Sequence, residues 1–219
     1  MMKAVKKIVL LMALIVSISF VSRAQDMIFT LDYNFAWNIG DFEEFIPEQS
    51  YRGGHLHFTK FLESNENLGV GLSIDWQGFY VKQPRSTFAY YDNNGSTNSD
   101  INAVQFRYMY TSPIKITLDY YFVKDAAILP FIGINAGVQY TEQELNVGAL
   151  ENRVNTAWDF AFGAQAGIHM PFGESGVGLN VIGKYNGSLY EYTFSNIDFK
   201  TEMGSYFSLG LGLSFLMEN

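Results

Sequence analysis

Large apolar residues occupy every second position from Phe29 to Ile39: Phe29, Leu31, Tyr33, Phe35, Trp37 and Ile39 alternate with Thr30, Asp32, Asn34, Ala36 and Asn38. A period of two belongs to a β-strand with two chemically opposite faces. The same alternation returns over residues 68–76, 104–120, 132–140, 158–169 and 207–215. It is weaker over 177–185 and least regular over 51–62. Eight strands are predicted. Pro113 lies inside the 104–120 run; lacking an amide donor, it is expected to mark a bulge or a point beyond the main ladder.

The predicted connections alternate in length. Residues 63–66, 123–127 and 172–176 are short; residues 40–50, 82–100, 141–155 and 186–203 are long. Long connections on one rim and tight turns on the other describe an up-and-down meander.

Two features indicate which face meets water. The polar face carries Gly69, Gly71, Gly133, Gly137, Gly163, Gly167, Gly178, Gly210 and Gly212. Glycine weakens a strand and adds nothing to a solvated surface, but it relieves crowding inside a narrow barrel. All 12 Glu fall in predicted connections or at the chain end, whereas a soluble strand would carry some on its wet side. The apolar face is therefore the outer one. Trp37, Trp76 and Trp158 lie on it near the long-connection ends of their strands, where a membrane–water interface favours a flat ring with a polar edge. Hydrocarbon tolerates no open sheet edge, so the sheet must close. The expectation is an all-β, eight-stranded, antiparallel, up-and-down transmembrane β-barrel.

The first 24 residues read as a cleaved export signal. Lys3, Lys6 and Lys7 precede an apolar run from Ile8 to Val21, and Ser22-Arg23-Ala24 supplies a small-x-small cleavage site. An anchor helix would need about 20 residues to cross the hydrocarbon. Residues 25–219 then form one domain with 10 basic and 22 acidic residues, a balance that argues against nucleic acid as partner. There is no cysteine, hence no disulfide framework.

The export signal, the eight alternating strands, the short-turn/long-loop rhythm and the terminal FSLGLGLSFLM together resemble the small outer-membrane β-barrels of the OmpX/OmpA type. LPFIGINAGVQY is similar to a Pro-aromatic-x-Gly-x-x-x-Gly stretch of outer-membrane beta-barrel and porin-family domains. The resemblance implies an outer-membrane location, with long loops outside the cell and turns in the periplasm. It also implies a last strand, here with Gly212 and Phe215, that acts as a signal to the barrel-assembly machinery.

The inward polar face carries the candidate chemistry. Asp32, Asp75, Asp119 and Asp159 are expected to meet Arg107, Lys115 and Lys184, because an unpaired buried charge is costly. His55 and His57 share a strand face and His169 lies on another inward face. They are read as lumen filling, since a His-x-His pair is far from a complete metal-ligand set. No catalytic, cofactor or metal site is assigned. The expected role is structural or one of cell-surface interaction, with outer-membrane lipid as surroundings and an extracellular protein or glycan as partner at loops 88–100 and 190–199. A narrow passive pore is the alternative, and a membrane-embedded lipid- or peptide-modifying enzyme is a third reading.

Overall fold

The computed structural model describes residues 27–91, 97–123, 126–148, 151–173, 175–194 and 199–217. The expected export signal lies outside them. The wall consists of β1 (Met27–Ile39), β2 (Ser50–Leu62), β3 (Asn65–Tyr91), β4 (Thr97–Tyr121), β5 (Leu129–Val147), β6 (Glu151–Pro171), β7 (Val177–Ser188) and β10 (Gly204–Met217). These eight close a barrel in the order β1-β10-β7-β6-β5-β4-β3-β2, with every seam antiparallel. The closing seam runs from Met27↔Met217 to Ile39↔Ser205. A one-turn helix, α1 (Asp41–Phe45), follows β1. β8 (Tyr192–Phe194) and β9 (Phe199–Thr201) pair only with each other, between β7 and β10.

The chain turns its apolar residues outward. Leu31, Tyr33, Ile134 and Leu211 are half or more exposed, whereas Thr30, Asp32, Asn34, Ser73 and Lys115 are buried. That is the inverse of a soluble barrel, and it fits a wall whose outer solvent is lipid. Trp37, Trp76 and Trp158 face outward, with 43, 48 and 40 % of their surface exposed.

Register explains the inward glycines. Asp32 stands opposite Gly212, Lys115 opposite Gly137, and Asp119 between Gly69 and Gly133. A Cβ at Gly212 would sit 2.6 Å from Asp32 Oδ1, and one at Gly133 would collide with Asp119 Oδ1. At Gly133 the Asp119 carboxylate thus occupies the volume that the glycine leaves empty, whereas Gly69 gives way to the Thr59 methyl group and Gly137 to the neighbouring backbone.

Three expectations change. The stretches 82–100 and 141–155 are largely strand, because the β3–β4 and β5–β6 hairpins continue past the closed wall. Pairing of β3 with β2 ends at Gly53↔Gln77. Beyond that level the inward side meets apolar side chains instead of a polar lumen, and the apolar/polar alternation loses its physical cause. For the same reason Glu142, Glu144 and Glu151 lie within strands; Glu66 lies at the start of β3, beside the β2–β3 turn. Pro113 makes no bulge: the register is the same at Ile74↔Ile114 and Gln77↔Thr111, and the ladder only lacks pairs between them.

Candidate functional site

The lumen has three storeys. Its centre is polar, and each of three buried aspartates accepts from several strands. Asp32 takes His55 Nδ1 at 2.8 Å and Asn180 Nδ2 at 2.7 Å. Asp75 is ion-paired with Lys184 and also accepts from Asn34 Nδ2 and Ser73 Oγ at 3.3 and 3.1 Å. Asp119 accepts from Gln165 Nε2 at 2.6 Å and contacts His57 Nε2 at 3.2 Å. A buried carboxylate is tolerated when partners of this kind replace its water.

The partners differ from those expected. Of the three aspartates just described, Asp75 alone meets a lysine; histidines serve Asp32 and Asp119. Lys115 donates to the neutral Asn186 Oδ1 at 2.5 Å rather than to an acid. Arg107 is not in the central network. It sits on the extension of β4, donates to Phe45 O at 3.1 Å and to Gln105 Oε1 at 2.9 Å, and lies 5.4 Å from the Phe45 ring. Asp159, one inward step above the fully buried Ala161, is half-buried with no ion pair among the described residues. These departures share a cause: sequence gives the face of each residue but not its height, and height decides who meets whom.

Nor do the histidines converge. The rings of His55 and His57 stack 5.6 Å apart, but their bonded nitrogens turn to different aspartates. His57 Nε2 also lies 3.0 Å from Thr117 Oγ1. His169 Nε2 meets Tyr121 OH at 3.1 Å, and its ring stacks on Phe131 at 4.8 Å. Among the described residues no three His, Asp or Glu side chains are placed to hold one metal ion.

An apolar layer lies at each end. At the end of the short turns, Ile28, Phe61, Tyr121, Leu129, Phe131 and Ile182 form one cluster. At the α1 end, Phe42, Phe45 and Ile46 fold over the bore onto Phe79, Val81, Met109, Leu145, Val147, Tyr190 and Tyr206. Polar contacts fasten this lid. Asn38 Nδ2 donates to Ile46 O at 2.9 Å, and Asp41 Oδ2 accepts the amides of Glu202 and Met203 at 2.6 and 3.1 Å. A Cβ on Gly204 would strike the Phe42 ring, so glycine there lets the lid seat against β10.

Alternation alone does not reveal these layers, although a signal exists. Phe61, Phe79, Val81, Met109, Phe131, Leu145, Val147 and Ile182 are apolar residues in the inward phase of otherwise polar-faced strands. Each marks a level where the lumen stops being polar.

The fold has solved counterparts. Outer membrane protein OprG of Pseudomonas aeruginosa superimposes with a TM-score of 0.55 at 13 % identity, over 90 % of this chain and 98 % of that one. Neisserial surface protein A gives 0.52 at 12 % identity, over 88 % and 99 %. No protein-family model matches the chain, and no curated protein sequence does. Closed topology, an apolar exterior and these likenesses define the fold as an eight-stranded, antiparallel, up-and-down β-barrel, similar to that of these outer-membrane proteins.

Proposed function

We propose that this protein is a closed, non-conducting outer-membrane barrel whose work is structural or done at the cell surface, and that it performs no catalysis. The observation that carries this reading is the filling of the bore. An ion-paired centre lies between two apolar layers, and both layers contain fully buried aromatic rings. An apolar constriction excludes water and ions by dewetting, so two in series oppose conduction more strongly than a polar plug alone.

In this reading α1 and the extended hairpins face the outside, the short turns face the periplasm, and Trp37, Trp76 and Trp158 rest at the outer lipid interface. Gly212 and Phe215 on β10 belong to the strand presented to the barrel-assembly machinery. The extended hairpins offer the surface for an extracellular protein or glycan. Solute flux through proteoliposomes tests the reading: liposomes bearing the barrel should leak small sugars no faster than empty ones. Flux that scales with barrel density would replace the closed barrel with a pore.

A further inference from the structure

We propose that Lys115 and Asn186 join in an amide cross-link, an isopeptide bond that ties β4 to β7 across the lumen. In the wall β5 and β6 separate these two strands, so the side chains meet inside the bore rather than along a seam. Lys115 Nζ lies 2.5 Å from Asn186 Oδ1. The carbonyl bond from Oδ1 to Cγ measures about 1.23 Å, so Nζ stands no more than about 3.7 Å from Cγ. Near-attack separation for two reacting atoms is about 3–3.5 Å. Both residues are 1 % exposed.

The surroundings favour attack. A buried ammonium without a carboxylate is costly, so the neutral amine is the form that this site holds. Asp75 stands one inward step beyond Ser73, the cross-strand partner of Lys115, but it is ion-paired with Lys184. Asn186 Nδ2 donates to Ser208 Oγ at 3.3 Å, which holds the amide in place. Burial keeps water, the competing nucleophile, away from Cγ. In the step itself Nζ bonds to Cγ and the Cγ–Nδ2 bond breaks. One Nζ proton passes to Nδ2, which leaves as ammonia; no oxidant or second reactant is consumed. An amine attacks an amide slowly in water, but fixed juxtaposition supplies an effective molarity of about 10⁵–10⁸ M. The product spans 71 positions of a chain that has no cysteine with which to make a disulfide.

The test is mass spectrometry of the protein purified from membranes, unfolded by boiling, and read both intact and after proteolysis. The unaltered chain is expected to weigh about 17 Da less than its mature sequence, with the peptides of Lys115 and Asn186 recovered as one branched species. Lys115→Met and Asn186→Ala should each show the full sequence mass and two linear peptides. They should also run more slowly than the unaltered chain on a boiled denaturing gel, because the tied loop keeps the unfolded chain compact. A variant that fails to fold does not weaken the test, since the unaltered chain decides it alone. Full sequence mass there, with Lys115 and Asn186 in separate linear peptides, overturns the proposal and leaves the contact a hydrogen bond. So does a loss of about 17 Da that persists in both variants, which would place it elsewhere in the chain.

Discussion

The centre of this barrel and its two ends fill the same bore by opposite means. The centre uses charges: Asp75 with Lys184, Asp32 with His55, Asp119 with His57 and Gln165. The ends use rings and aliphatic chains, with Phe131 and Tyr121 at one and Phe42, Phe79 and Tyr206 at the other. A polar plug is held by specific partners, so removing one partner strands the other. An apolar plug is held by contact, so removing one ring leaves a void. The first kind of closure fails through electrostatics and the second through packing.

Mutation should separate the two. Lys184→Met leaves Asp75 buried without its counter-ion and should cost the most, about 3–5 kcal/mol, with much of the loss recovered in Asp75→Asn/Lys184→Met. Urea unfolding followed by tryptophan fluorescence reads both; an unrecovered double variant would mean the pair is not what holds the centre. Phe131→Ala should cost about 3 kcal/mol in the same assay by opening a cavity, and no second charge change should repair it. Gly133→Ala pushes a methyl group against Asp119 and should cost about 1–3 kcal/mol, although alanine ordinarily suits a strand no worse than glycine. A neutral or stabilising result there would contradict the pairing of charged residues with glycine. The smallest effect is expected at the lid. Asp41→Asn weakens two charge-assisted bonds to Glu202 and Met203, worth about 1 kcal/mol, and should raise amide exchange at residues 42–46 while the wall strands stay protected.

The contrast also explains what could be read from the chain. Wall, strand number and closure were legible because lipid imposes a strict period of two, and lipid permits no edge. The outward placement of Trp37, Trp76 and Trp158 follows from the same period. What escaped depends on height within the bore. Asp32 finds Asn180 from a strand distant in sequence, and Asp119 finds His57 and Gln165 from two strands. Alternation assigns all of them inward without ranking their levels. The predicted Arg107 contact failed for this reason, since Arg107 lies above the polar centre against the Phe45 carbonyl. The lid escaped for a different reason. Phe42, Phe45 and Ile46 come from a connection with no strand period, and their burial depends on a bore that already exists.

In the closed barrel proposed above, water does not reach the polar storey from either end. The chain has no cysteine, so one can be introduced as a probe. Ser73 is fully buried between the apolar layers, where its hydroxyl donates to Asp75, and Ser175 stands in an exposed turn. In the folded barrel, Ser73→Cys should resist a small water-soluble thiosulfonate until the protein is unfolded, while Ser175→Cys reacts at once. Modification of the folded Ser73→Cys barrel at a rate comparable to Ser175→Cys would show a wet, open lumen and contradict the account.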